Sequence, residues 1–89
     1  MMKRIDLDIV RRATEELLLD NMYTTTLDVK NYLREKGFFA LQADVSDMMD
    51  ELYHLGFLWF EFTGAFRIYL FAEEVHHGLT EVSAYLNGE

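Results

Sequence analysis

The apolar residues of this chain change period at a single glycine, and few small folds accommodate that change. Up to Gly56 they recur at helical spacing: Val45, Met48, Met49, Leu52 and Leu55 stand at i, i+3, i+4, i+7 and i+10, one face of an α-helix. After Gly56 the period falls to two, in the runs Phe57-Leu58-Trp59-Phe60-Glu61-Phe62-Thr63 and Phe66-Arg67-Ile68-Tyr69-Leu70-Phe71. Gly64-Ala65 joins them, and glycine at the first position of a two-residue loop suits a type II′ hairpin turn. In that register Trp59, Glu61 and Thr63 share one face with Phe66, Ile68 and Leu70, while Leu58, Phe60 and Phe62 share the other with Arg67, Tyr69 and Phe71. Both faces are apolar. One is expected to cover the helices, and the second must then be covered by a C-terminal helix, by a second copy of the chain, or by an unrelated protein.

Upstream, Asp6 or Asp8 can cap a first helix carrying Ile9, Val10, Ala13, Leu17 and Leu18 to about Leu19. Tyr23-Thr24-Thr25 favours a short extended piece. Thr25 or Thr26 then caps a second helix, with Asp28 as a weak capping-box partner and Leu27, Val29, Tyr32 and Leu33 as its apolar side. Gly37 stops this helix as Gly56 stops the third, because glycine takes the left-handed conformation without strain. Downstream, Val75, Leu79, Val82 and Leu86 predict a last helix over residues 73–87, weakened by Gly78. With 89 residues, the chain is expected to be a single domain with its core in residues 5–71.

The order helix, short strand, helix, helix, hairpin over residues 24–71 and the helix before it resembles the winged helix-turn-helix family. The residues that carry the likeness are Thr25-Thr26-Leu27-Asp28-Val29 opening helix two and Leu33-Arg34-Glu35-Lys36-Gly37-Phe38 closing it. Gln42, Val45-Ser46 and Leu52 continue it through helix three to Gly56-Phe57-Leu58. The resemblance implies an α+β fold: a three-helix bundle with a short strand and a C-terminal β-hairpin wing, here with an added C-terminal helix. It also implies that helix three would enter a DNA major groove while the wing touches the backbone.

Charge opposes that use. Residues 1–36 hold seven acids and seven bases, so the whole net charge of −8 belongs to residues 37–89, where Arg67 is the lone cation. Helix three presents Asp44, Asp47, Asp50 and Glu51 where duplex binding needs cations that release counterions from phosphate. One carboxylate beside one phosphate is unfavourable by about 3 to 4 kcal/mol before screening. The expected partner is therefore a protein, neutral or basic, or a second copy in a homodimer. The expected function is a non-enzymatic acidic interaction or dimerisation module, an adaptor or an inhibitor that mimics nucleic acid. Its contact residues would be Asp44, Asp47, Asp50 and Glu51 with Phe60, Phe62, Tyr69, Phe71, Leu79, Val82 and Leu86. The alternative is a DNA-binding transcriptional regulator using Arg11, Arg12, Lys30 and Arg34, unless these pair with Glu15, Glu16, Asp28 and Glu35.

Other chemistry finds little support. There is no cysteine for a thiolate cage or a disulfide, and no glycine-rich phosphate loop. His54 stands alone, His76 and His77 point about 100° apart on a helix, and Glu73 with His77 gives two ligands without a third. Neither Ser46 nor Ser83 has a nucleophile context, so no catalytic residue, metal or cofactor is expected. The longest apolar run, Ile68 to Ala72, is far short of the roughly 20 residues of a membrane span, and no signal-peptide core follows the start. The expectation is a soluble cytoplasmic protein without membrane contact.

Overall fold

A computed structural model of the chain describes residues 2–73. The element order is β1 (Lys3–Arg4), α1 (Leu7–Asp20), α2 (Thr26–Glu35), β2 (Phe38–Phe39), α3 (Gln42–His54), β3 (Leu58–Phe62) and β4 (Arg67–Phe71). The fold is α+β, with three helices, an antiparallel hairpin and a short parallel pair. The C-terminal helix expected over residues 73–87 lies, beyond Glu73, outside the described residues.

Local chemistry sets the boundaries. Asp6 caps α1 by accepting from the Ile9 amide at 2.8 Å, and Thr25 caps α2 by accepting from Asp28 N–H at 3.1 Å. The helix α3 starts differently: Leu41 occupies its cap position and offers no side-chain acceptor. Gly37 and Gly56 follow α2 and α3 at φ +91° and +87°, the left-handed region that favours glycine.

The three helices pack pairwise, and the hairpin closes on them through β3 against α3 and β4 against α1. Val10, Val29, Leu33, Val45, Met49, Leu52 and Tyr69 are fully buried at their junction. Each such apolar side chain contributes roughly 1.5 to 3 kcal/mol. The hairpin register pairs Leu58 with Phe71, Phe60 with Tyr69 and Phe62 with Arg67, as the alternation predicts. Its Leu58/Phe60/Tyr69/Phe71 face is the one turned to the helices. The expected extended piece is present at Thr24, which exchanges two backbone hydrogen bonds with Tyr69 at 3.0 and 2.8 Å.

One pairing has no counterpart in the sequence pattern: β1 lies parallel to β2, Lys3 opposite Phe38 and Arg4 opposite Phe39. Strands of two residues are too short to show a period. Among the described residues no helix is long and apolar enough to cross a membrane.

Candidate interaction surface

Burying Val45, Met49 and Leu52 fixes the rotation of α3 and turns the opposite side to solvent. Asp47 sits at the centre of that outer face, because its direction is about 200° from Val45. Around it stand Ala43, Asp44, Asp50, Glu51 and His54. Asp44, Asp47 and Glu51 are exposed, and none of the three takes part in an ion pair among the described residues. The cation nearest in register, Arg67, is engaged by Asp50 at 3.0 Å, and the His54 ring lies 3.6 Å from the other Asp50 oxygen. The Arg67 guanidinium also stacks over Phe60, 4.3 Å from the ring centre. The buried Tyr69 hydroxyl has no hydrogen-bond partner among the described residues.

Beside this face runs an open cleft of about 720 Å³, built by three elements. Thr25, Thr26 and Leu27 come from the start of α2; Gln42, Ala43 and Ser46 from the start of α3; Phe62, Phe66 and Arg67 from the hairpin end. Its apolar lining is unusually wet: Phe62 is 67% exposed, Phe66 52% and Leu27 48%. Single exposed apolar residues are ordinary, whereas several in one concavity mark a contact site.

Several expected contact residues are placed otherwise. Tyr69 is 0% exposed and belongs to the core, and Phe60 and Phe71 are half-buried against it. The reason is the direction of the hairpin, whose Phe60/Tyr69/Phe71 face is the one that closes on the helices. Phe62 shares that face but lies past the reach of the helical core, so it alone of the four projects into the cleft. Leu79, Val82 and Leu86, with His76 and His77, lie outside the described residues. Leu27 and Phe66 were not anticipated as contact residues. A helical wheel could have flagged Leu27, which points about 160° away from Val29 and so cannot share its buried face.

Three of the four basic residues named for the alternative are engaged by neighbouring groups. Arg11 and Arg12 both bind Asp8, at 2.9 and 3.0 Å, rather than Glu15 or Glu16. Arg11 also lies over Phe57, 5.5 Å from the ring centre. The Arg34 side chain donates to the Ala40 carbonyl at 2.8 Å, and Lys30 has no ion-pair partner among the described residues. Lys3, Arg12 and Lys36 line a groove with Phe38 and Tyr32, to which the β1–β2 pairing brings Lys3 opposite Phe38. Within it Tyr32 donates to the Glu16 carboxylate. That hydrogen bond, then partial burial and the negative charges of Glu16 and Asp20, raise the Tyr32 pKa. Among the described residues no group of three or more His, Asp or Glu side chains is arranged to hold a metal ion. No protein-family model, no curated protein and no solved structure matches this chain.

Proposed function

We propose that the chain is a winged-helix-type interaction module that binds a protein, without catalysis, through the acidic outer face of α3 and the surface beside it. The single observation that carries this reading is the set of exposed carboxylates Asp44, Asp47 and Glu51, with the adjacent Arg67 already engaged by Asp50. In a winged helix this is the side that would approach a duplex, and phosphate is the ligand it repels most. A basic protein gains there what DNA loses, so an adaptor and an inhibitor that mimics nucleic acid both fit the charge. The engagement of Arg11 and Arg12 by Asp8, and of Arg34 by the Ala40 carbonyl, weighs against the DNA-binding alternative.

A titration of fluorescent duplex at low and at moderate salt tests the reading. The expected result is binding no tighter than about 10⁻⁴ M, the weak end of nonspecific affinities. Binding tighter than about 10⁻⁶ M, with a steep salt dependence lost in the Lys30→Ala/Arg34→Ala double variant, would overturn it.

A further inference from the structure

We infer that the cleft between α2, α3 and the hairpin end receives a basic amphipathic helix of a partner protein. Apolar side chains one turn apart on that helix would seat on Leu27, Phe62 and Phe66, and a Lys or Arg on its border would meet Asp47. The inference rests on the protein-binding reading and narrows it to one groove and one ligand chemistry.

Three observations converge on this occupant. The cleft has apolar walls on two sides, Leu27 from α2 and Phe62 with Phe66 from the hairpin, all about half-exposed or more. A concavity of about 720 Å³ offers room for large anchor side chains. Its third wall is α3, where Ala43 and Ser46 line the cleft; the one charged lining residue, Arg67, is engaged by Asp50, and Asp47 stands one turn beyond Ala43 at the rim. An apolar strip with the unpaired Asp47 at its rim, and with its lining cation Arg67 already engaged by Asp50, complements a helix that is apolar on one side and cationic along its border, read through i, i+3, i+4 and i+7 anchors.

Charge also discriminates among occupants. The chain's own residues 74–89 contain Glu74, Glu81 and Glu89 and neither Lys nor Arg, and a second copy carries the same net charge of −8. Either would bring carboxylates to carboxylates. Nucleic acid would bring phosphates to them.

The test uses the full-length, isotope-labelled protein and a monomeric Leu/Lys peptide with leucines at i, i+3, i+4 and i+7. Two controls accompany it: the same pattern with Glu in place of Lys, and a scrambled Leu/Lys peptide of equal charge but no apolar face. Binding is expected to shift the amide resonances of Leu27, Ala43, Phe62 and Phe66. Phe62→Ser and Leu27→Ser, both at solvent-exposed positions, should each weaken it about tenfold or more, and Asp47→Asn by a few-fold. Both control peptides should bind at least about tenfold more weakly. Retention of the wild-type spectrum elsewhere shows that each variant is folded, and Phe66→Ser replaces any that is not.

If the Leu/Lys peptide shifts only the outer acidic face and the cleft variants bind like wild type, the cleft assignment falls while the protein-binding reading stands. Equal binding of the scrambled or the Glu peptide, or no binding of the Leu/Lys peptide, overturns the assignment as well. If light scattering shows a dimer whose dilution shifts the same cleft resonances, the occupant is a second copy and the inference is wrong. Tight, salt-steep duplex binding removes the broader reading and this inference together.

Discussion

Thr14 and Thr24 are both buried threonines, and one hydrogen bond separates them. The Thr14 hydroxyl donates to the Val10 carbonyl at 2.7 Å, one turn back on α1. The Thr24 hydroxyl, 1% exposed, has no partner among the described residues, although the Thr24 backbone is fully paired with Tyr69. A buried hydroxyl without a partner costs about 1 to 3 kcal/mol of desolvation, and valine keeps the shape while suiting extended backbone. Thr24→Val is therefore expected to stabilise the protein by about 1 kcal/mol in urea unfolding, whereas Thr14→Val should be neutral or mildly destabilising. A loss at Thr24 comparable to that at Thr14 would mean that its hydroxyl is satisfied after all. Tyr32 supplies the alkaline counterpart. Its hydrogen bond to Glu16, its partial burial and the charges of Glu16 and Asp20 favour the neutral phenol in the folded state, so the folded pKa lies above the unfolded value of about 10. That contribution is complete below the unfolded value and disappears as pH rises through the higher folded value. The stability difference between wild type and Tyr32→Phe should accordingly be largest near neutrality and shrink above about pH 10. A difference that stays constant to strongly alkaline pH would show that the pair does not couple to titration.

Among the elements, the helices and the hairpin were legible because each carries its own signal. The period of 3.6, the caps Asp6 and Thr25, and the left-handed Gly37 and Gly56 locate the helices, and the alternation around Gly64 sets the hairpin register. The β1–β2 pair was not legible, since two residues show no period and the pairing joins segments that only α1 and α2 bring together. The start of α3 departs from capping preferences: Leu41 has the extended backbone of a cap, φ −97° and ψ 141°, but no acceptor. It is exposed and is not among the residues packed against the core, so little burial would be lost by changing it. Leu41→Ser should stabilise the protein by about 0.5 to 1 kcal/mol, and Asp6→Ala, which removes a working cap, should cost about 1 kcal/mol. In thermal unfolding a change of about 1 kcal/mol corresponds to a shift of roughly 4 to 8 °C for a domain of this size. Should Leu41→Ser lower the melting temperature, the leucine side chain would be shown to contribute packing that outweighs the added cap.

For the molecule as a whole, charge was legible in kind and only partly in place. Counting assigned the entire −8 to residues 37–89, and helical spacing put Asp44, Asp47 and Glu51 on the outer side of α3, as they are found. The cleft was not legible, because it depends on three elements meeting, and alternation cannot say that Phe62 overhangs the core while Phe60 and Tyr69 enter it. The same charge distribution also governs stability. Among the described residues Asp8 and Asp50 are the only acids that take part in ion pairs, all at least partly exposed, and such pairs contribute about 0 to 1 kcal/mol each. Against them stands the repulsion of the surplus acids, including Asp47 with Asp44, Asp50 and Glu51 at spacings of three and four, where like charges destabilise by about 0.2 to 0.5 kcal/mol per pair. Repulsion should prevail. Raising the salt concentration shortens the screening length from about 30 Å at 0.01 M to about 10 Å at 0.1 M, so the melting temperature is expected to rise across that range. The rise should be smaller in Asp44→Asn/Asp47→Asn, which should also be more stable than wild type at low salt. A melting temperature that falls with salt, or a variant that responds as wild type does, would show that attraction elsewhere outweighs the acidic face. A rise in melting temperature with salt, reduced in the variant, would be the stability cost expected of a surface that binds the proposed cationic partner.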